Sequence, residues 1–566
     1  MGHSFALNEV EITTSFNRAL IVSDVEKGIL KIDGAKMDDE IGFLSSPDVI
    51  QLLKTLPYSA TTNEMQANIS IRGGGSDDTR FTADGAPILN PMHLLGFFSS
   101  FNPDFYRNYT LQPGRISAVT PAASGGFFQA LSAAIPDTSV NMSISLGLIE
   151  SHGAVNIPLS KGKASLSLGG RITYIDKIYP HLLTDGSSTL LYSFGDLNGT
   201  LISRFTDNDV VRISLFASKD RLGVDNIKNG TKDGKFGWSN LAVSSEWRHD
   251  HLTAILSYSS FDNDFLLEEG GYRIDLPSSF KIMKGQTEIA LPFGLTAETD
   301  VSFCISSPQS NRSFSRNAHT RQWSFTWNLG ANYVNTFGPL MVEGGIRNMV
   351  YHCGDYDVFF PQPRLNLAWK IDERFNIFGA YGMAIGAERL VPESRGGLPI
   401  DFWVCADDRV KPLVSHNFEL GLAGMLWESG INFNIEAYYR ILRNRLEYTG
   451  SLLHWVVPGY DPISDVHAGK GYAAGVSVML SRQFGKFRGR VGGNIGKSRT
   501  FIPAISDGYF PSSSDRPLDV SALITWQPCF PFSMSAQFTH ASGLPYTRAK
   551  FGYILGDNLI CEYFPH

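Results

Sequence analysis

Cysteine thiols are the first candidates for chemistry in this 566-residue sequence, because they can bind metals, form disulfides or attack substrates. No two of them form a C-x-x-C pair, and their odd number and wide spacing match neither a zinc site nor a disulfide framework. Only Cys353 and Cys405 fall in predicted loops that could lie close, and free thiols are favoured over a bridge between them. The cysteines are Cys304, Cys353, Cys405, Cys529 and Cys561.

Other reactive residue types form no catalytic or metal-binding signature. The sequence contains no H-E-x-x-H motif and no G-x-S-x-G nucleophile elbow, so it predicts neither an enzyme nor a metal site. The glycines Gly73–Gly75 could cradle a phosphate, but no P-loop lysine follows them, so a tight turn and no cofactor are predicted. His93 lies in the apolar stretch PMHLLGFF and is expected to be a hydrogen-bonded core residue.

Charge and hydropathy exclude two broad classes of protein. The net charge is −7 and the basic residues form no stripe, so no nucleic-acid partner is predicted. No apolar run reaches the ~20 residues that a transmembrane helix needs. The absence of such a run does not exclude a transmembrane β-barrel, because the strands of a barrel carry only an alternating signal. An aromatic content of 12% suits the aromatic girdles of such barrels.

Residues 139–566 alternate between apolar and polar side chains, as in INFNIEAYYR (431–440). A soluble sandwich would also alternate, but it has no reason to collect every long loop at one end. Here tight turns alternate with long polar connections, which is typical of outer-membrane barrels. The turns predict nineteen strands and the start of another, at Lys161-Gly162, Asp207-Asn208, His249-Asp250, Phe293-Gly294, Phe337-Gly338, Asp372-Glu373, Glu428-Ser429, Gly485-Lys486 and Pro528-Cys529.

Residues 21–138 have a different, mixed character. SSPDVIQLLKTLPY predicts a short helix capped by Asp48, and TRFTADGAPI predicts a hairpin around Asp84-Gly85. Barrels of about 22 strands are plugged in their lumen. The sequence therefore predicts a large antiparallel transmembrane β-barrel, about 22 strands when complete, with an N-terminal α+β plug domain in its lumen.

Several motifs resemble those of the TonB-dependent outer-membrane receptors. In the plug they are ISIRGGGSDDTRFTADGAPILNPMHLLGFFSSFNPD and YTLQPGRISAVTPAASGGFFQALSAAI. In the barrel, PQPRLNLAW, LPIDFWV, KPLVSHNFELGL, IEAYYR, GKGYAAGVSV and ASGLPYT follow in the family's order. The resemblance implies import of a scarce nutrient, such as a siderophore, cobalamin or glycan, across the outer membrane. It leaves open a non-transporting binding barrel and, less favoured, an outer-membrane hydrolase.

The resemblance also implies a partner for the amino end. Residues 1–20 form a lead-in segment with a TonB box, a short extended stretch that adds a strand to the periplasmic partner TonB. Its residues are Leu7, Asn8, Glu9, Val10, Glu11, Ile12 and Thr13. An ordinary edge strand of the plug is the alternative. The other expected partners are outer-membrane lipid, an extracellular ligand and a surface lipoprotein, with the plug facing the periplasm.

Two groups of side chains are predicted to have a function, one in joining the plug to the barrel and one in binding a ligand. Alternation turns Glu419 and Glu436 toward the lumen on either side of one tight turn, so we expect Arg72 of the plug to pair with one or both. A wet polar lining is the alternative. Aromatic side chains in the loops suit stacking on a ligand, although they also suit anchoring in lipid headgroups. They are Phe402, Trp403, His454, Trp455 and Tyr460.

Both ends of the sequence are expected to continue. An exported protein needs a signal peptide, and the sequence MGHSFALNEV does not resemble one, so coding sequence upstream of Met1 is predicted. Nineteen strands leave a gap of about two strands in a barrel of about 22. Further strands are therefore expected after His566 or from a second polypeptide.

Overall fold

The structure is a computed structural model that carries side chains. It describes residues 21–24, 28–39, 47–61, 69–75, 77–93, 96–120, 124–178, 184–185, 188–226, 232–269, 272–308, 321–392, 401–426, 430–450, 454–455, 457–529, 532–545, 549–555 and 558–563.

The N-terminal plug domain is a small sheet with one packed helix. Its strands are β1 (Ile21–Asp24), β2 (Ile29–Asp33), β3 (Ser59–Thr61), β4 (Ile69–Ile71), β5 (Thr79–Ala83), β6 (Ala86–Ile88), β7 (Met92–His93), β8 (Phe98–Ser99), β9 (Asn108–Gln112) and β10 (Gly126–Leu131). A six-stranded sheet has the order β1-β2-β9-β10-β5-β6, in which only β10 and β5 run parallel.

The predicted helix and hairpin of the plug are both present. Helix α1 (Val49–Lys54) begins where the Asp48 side chain accepts hydrogen bonds from the backbone N–H groups of Ile50 and Gln51, at 2.8 and 3.1 Å. Its apolar face packs into the buried core of the plug. The β5–β6 turn has positive φ angles of 46° at Asp84 and 86° at Gly85, which suits the Asp-Gly sequence.

A single antiparallel sheet of 22 strands forms the barrel wall in chain order. Its first part comprises β11 (Asn141–Leu146), β12 (Glu150–Ser160), β13 (Ala164–Thr173), β14 (Thr184–Asp185), β15 (Ser188–Arg204), β16 (Asp209–Asn226), β17 (Lys232–His249), β18 (Leu252–Glu269), β19 (Tyr272–Asp275), β20 (Ser278–Ala290), β21 (Leu295–Ser307), β22 (Gln322–Phe337), β23 (Leu340–Cys353), β24 (Tyr356–Lys370) and β25 (Phe375–Gly386). β26 (Glu388–Val391) and β27 (Phe402–Cys405) form a separate two-stranded pair that is not part of the wall sheet, and we call it the inner hairpin.

The wall then continues to the other end of the sheet. Its remaining strands are β28 (Leu413–Leu426), β29 (Ile431–Tyr448), β30 (Val466–Phe484), β31 (Phe487–Phe501), β32 (Phe510–Pro511), β33 (Leu518–Cys529) and β34 (Phe532–Ala541). Of the 22 strands, β14, β19 and β32 have only two to four residues, which leaves the nineteen long strands that the turn signals predict. β35 (Ala549–Leu555) pairs with β36 (Asn558–Tyr563).

Short helices complete the described secondary structure. They are α2 (Ile175–Ile178) and the 3-10 turns Gly34–Asp39, Pro292–Gly294 and Pro462–Asp465. No helix in the described ranges is both long and apolar enough to cross a membrane. Strands β16, β17 and β18 extend well into the stretches 219–236 and 262–279, which the polar composition predicts to be loops.

Side chains of the wall alternate between a buried inner face and an apolar outer face. Leu420 is 62% exposed on the outside, whereas its neighbour Glu419 is 9% exposed on the inside. This pattern confirms the mainly β fold class with a transmembrane barrel. β11 and β34 lie at the two ends of the sheet, and the described pairings do not join them. The two further strands therefore stay a prediction.

The plug domain lies inside the wall. Strand β17 contacts it repeatedly through side chains that donate to the plug backbone: Trp238 Nε1 to Met92 O at 3.1 Å, Asn240 Nδ2 to Asn90 O at 2.8 Å, and Ser244 Oγ to Asp84 O at 2.9 Å. Because these contacts satisfy buried polar groups on both partners, they fix the plug segment from Asp84 to Met92 against the wall.

Candidate functional site: the plug–barrel interface

Arg72 joins the plug to the barrel wall through two carboxylates. It follows β4, has a positive φ of 51°, and donates its backbone N–H to Tyr58 O at 2.9 Å. Its guanidinium donates from Nη1 to Glu419 Oε1 and from Nη2 to Glu436 Oε2. The three side chains are at most 5% exposed, which contradicts a wet polar lining at this point.

The register of β28 and β29 explains why the two carboxylates converge. Glu419 pairs with Tyr438 and Gly421 pairs with Glu436, so both acids lie on the lumen face as diagonal neighbours. Two buried carboxylates repel each other unless a cation lies between them. Arg72 supplies that cation, and Arg115 Nε lies 3.9 Å from Glu419 Oε2 as a second one. The Arg72 guanidinium also lies 5.4 Å from the ring centre of Tyr438.

A second arginine crosses the same interface in the opposite direction. Arg440, on β29 of the wall, donates to Ile71 O at 3.0 Å and to Ser124 O at 2.5 Å. It also lies 3.3 Å from the carboxylate of Asp78. Arg72 of the plug therefore contacts acids of the wall, and Arg440 of the wall contacts acceptors of the plug. The side chain of Arg440 is only 4% exposed.

His93 makes another charged contact, with strands β15 and β16. Its Nδ1 lies 2.6 Å from Asp220 Oδ2 and its Nε2 lies 3.4 Å from Asp196 Oδ2. Burial lowers the pKa of His93, but the two carboxylates outweigh burial and raise its pKa overall. The expected buried histidine is thus an interface residue that favours the protonated form. No cluster of metal-ligating residues occurs in the described part of the chain.

A third contact joins the plug to the inner hairpin. Arg80 Nη2 donates to Glu388 Oε2 at 2.5 Å, and Arg389 Nε donates to Asp77 Oδ2 at 2.8 Å. The Arg80–Glu388 pair is partly exposed, at 17% and 23% of the side chains. Arg80 also lies 6.0 Å from the ring centre of Trp403.

A cavity of about 110 Å³ opens beside this third contact. It lies between the β5–β6 hairpin of the plug and strands β20–β23 and β25 of the wall. Apolar groups such as Phe81, Ile88 and Met349 line it together with Trp403. The plug therefore touches the wall tightly at Arg72 and His93 but leaves free space next to the inner hairpin.

The predicted ligand-binding aromatics do not form one exposed surface. Phe402, Trp403 and Trp455 are buried, at 0%, 6% and 1% exposure, because the segments that carry them fold inward. His454 Nδ1 and Tyr460 Oη both contact the carboxylate of Asp465, at 2.8 and 2.6 Å. Their role in ligand binding stays a prediction.

Sequence reasoning missed several contacts of this interface. Alternation placed Arg440 on the lumen face without a partner, and it gave no reason to connect His93 with Asp196 and Asp220. The predicted TonB box, residues 7–13, lies outside the described residues.

Comparison with known proteins gives the family. Residues 179–548, more than half of the chain, match the family described as TonB dependent receptor-like, beta-barrel. The chain belongs to the TonB-dependent receptor family. No curated protein sequence matches it.

Solved structures of TonB-dependent receptors share the fold of this receptor. The FrpB iron transporter of Neisseria meningitidis superposes with a TM-score of 0.66 at 12% identity, over 90% of this chain and 86% of that one. A variant of the ferric enterobactin receptor PfeA of Pseudomonas aeruginosa gives 0.65 at 14%, over 92% and 87%. The siderophore receptor PirA of Acinetobacter baumannii gives 0.62 at 13%, over 90% and 85%.

Proposed function

We propose that this receptor imports a scarce nutrient across the outer membrane and that TonB drives the import. The observation that carries the proposal is the contact of Arg72 with Glu419 and Glu436. This contact holds the plug against the wall by ion pairs and hydrogen bonds, which can break and re-form. Such a plug closes the barrel at rest and can still be displaced by a mechanical pull.

The proposed cycle follows from this arrangement. Extracellular loops bind the ligand, the box at residues 7–13 becomes available, and TonB adds to it as a paired strand. Pulling then displaces part of the plug and opens a path along the wall. The receptor changes no bond in the ligand, and the energy comes from the inner membrane through TonB.

The cavity beside the inner hairpin supports one route for that path. The Arg80–Glu388 pair beside the cavity is partly exposed, whereas the contacts of Arg72 and His93 are buried. The neighbouring Arg389–Asp77 pair is also buried, with side chains 1% and 12% exposed. A partly exposed ion pair stabilises docking by less than the free energy lost when a buried pair is broken, so the Arg80–Glu388 pair is the contact that breaks first.

The ligand class is a siderophore, cobalamin or glycan. Ferric siderophores are the first to test, because the similar structures are described as iron transporters or siderophore receptors. We place the receptor in the outer membrane of a Gram-negative cell, with the plug facing the periplasm and lipid around the apolar outer face. A surface lipoprotein is a further proposed partner.

Capture of TonB tests the partner directly. The purified full-length receptor is mixed with the periplasmic domain of TonB, and the complex is measured by affinity capture. We expect binding that disappears when Leu7–Thr13 are deleted and that survives deletion of an equally long stretch at residues 14–20. Equal capture with and without residues 7–13 would contradict the proposed box, and no capture by the intact receptor would favour a non-transporting binding barrel.

A further inference from the structure

Three side chains form a lumen-facing row across strands β21, β22 and β23. Cys304 pairs with Ser324, and Ser324 pairs with Cys353, so all three point to the same face of the sheet. All three are buried. Cys353 is the last residue of β23, which places the row at the end of these strands where the long connections lie.

The inner hairpin places a further thiol against this row. Ser324 Oγ donates to Cys405 Sγ at 3.4 Å, and Ser324 pairs directly with Cys353, so both thiols lie next to the same side chain. Neighbouring contacts fix the hairpin in this position. Tyr351 Oη donates to Ala406 O at 2.7 Å, and Ser306 Oγ donates to Trp403 O at 2.8 Å.

Cys304 and Cys353 differ as partners for Cys405. The Sγ atom of Cys304 lies 4.0 Å from Glu388 Oε1. A carboxylate at that distance disfavours the thiolate, which is the species that attacks in thiol–disulfide exchange. Cys353 is 5% exposed and Cys405 is 1% exposed, so Cys353 is the thiol that an incoming oxidant reaches first.

We propose that Cys353 and Cys405 form a disulfide that fastens the inner hairpin to the barrel wall. The inference rests on the proposed outer-membrane location in one respect, the source of the oxidant, because an exported protein passes through the oxidising periplasm. The oxidant is a protein disulfide. The Cys353 thiolate attacks it and displaces one thiolate, and the Cys405 thiolate then attacks the mixed disulfide and displaces the second. The two displaced thiolates take up the two protons, so the oxidant is reduced to two thiols.

The link has a consequence for the cavity. The same hairpin carries Glu388, which pairs with Arg80 of the plug, and Trp403, which lines the cavity. With the hairpin fastened to β23, these two residues stay on the wall when the plug is displaced. The disulfide therefore keeps the hairpin on the wall when the plug moves. As a result, the Arg80–Glu388 contact breaks.

Mapping the thiols of the exported protein tests the proposal. The full-length receptor is produced in cells that export it, the cells are lysed in denaturant with N-ethylmaleimide, and the unreduced protein is digested for mass spectrometry. We expect one cross-linked peptide joining Cys353 and Cys405, with complete loss of their maleimide adducts. Cys304 and the exposed Cys529 carry the adduct and show that alkylation is complete.

Matched variants give the controls. The Cys304→Ser variant keeps the cross-link between Cys353 and Cys405. In the Cys353→Ser variant, Cys405 is a free thiol and carries the maleimide adduct. Adducts on both Cys353 and Cys405 of the wild-type receptor, or a link between Cys304 and Cys405, would overturn the proposal even if a variant fails to fold. The mapping needs neither ligand nor TonB, so its failure leaves the import function standing, and failure of import leaves the disulfide standing.

Discussion

Arg72 and Glu436 lie 364 positions apart in the chain, yet they form a hydrogen-bonded ion pair with side chains that are 1% and 5% exposed. One residue belongs to the plug and the other to the barrel wall. A contact of this kind stabilises the docked plug strongly only while both partners are present, because each charge is buried.

Arg72→Gln should therefore weaken plug docking by about 3–5 kcal/mol, since it removes the cation that contacts both buried carboxylates and leaves only Arg115, 3.9 Å from Glu419. The measurement is a urea titration of the folded receptor, followed by protease cleavage of the plug. Arg409→Gln is the matched control, because Arg409 pairs with Asp461 where both side chains are 50% exposed. Adding Glu436→Gln to Arg72→Gln should restore part of the loss. Equal midpoints for Arg72→Gln and wild type would contradict this interpretation.

Gly114→Ala should disturb the same contact from the plug side. A Cβ atom at Gly114 would overlap the Glu419 carboxylate and lie 2.5 Å from Arg72 Nη1. Overpacking of this kind costs about 1–3 kcal/mol, and we expect the same urea titration to show it. Gly285→Ala is the control, because no atom lies within 4 Å of its added Cβ. An unchanged midpoint for Gly114→Ala would mean that the ion pair shifts freely.

Plug docking should depend on pH through His93. The folded pKa of His93 is raised, so its contribution is fully present below the unfolded pKa of about 6.5 and is lost as the pH rises through the folded value. The groups that face it are Asp196, Asp220 and, beyond them, Arg171. The difference in urea midpoint between wild type and His93→Gln should shrink as the pH increases. A difference that stays constant from acid to alkaline pH would show that His93 docks as the neutral form.

The contact between Arg80 and Glu388 should contribute far less to docking. Its side chains are 17% and 23% exposed, and partly solvated ion pairs contribute about 0–1 kcal/mol. A double-mutant cycle with Arg80→Gln and Glu388→Gln measures the coupling energy. We expect it to be several-fold below the coupling from the corresponding cycle on Arg72 and Glu436. Similar values for the two cycles would argue against the Arg80–Glu388 pair as the contact that breaks first.

The contact at Arg72 was accessible to sequence reasoning because alternation along a strand fixes which side chains face the lumen. Glu419 and Glu436 flank one tight turn, so their proximity followed from the turn alone. The turn signals likewise fixed the number of long strands. Both inferences depend on local geometry with a fixed period, which a single sequence carries.

The contact at His93 was not accessible in this way. Its partners Asp196 and Asp220 belong to strands whose position relative to the plug depends on how the whole domain is oriented in the lumen. The predicted ligand-binding aromatics show the same limit. Phe402 and Trp403 lie in a long connection, and nothing local indicates that this connection folds inward and buries them.

Ligand binding and uptake by the receptor and by its Leu7–Thr13 deletion test whether import depends on TonB. Cells that carry each form as their sole receptor of this family receive a panel of radioactive ferric siderophores, then labelled cobalamin and glycans. We predict that both forms bind one of these ligands equally, and that only the intact form accumulates it inside the cell. Equal accumulation by both forms would contradict TonB-dependent import, and so would binding without accumulation by the intact receptor.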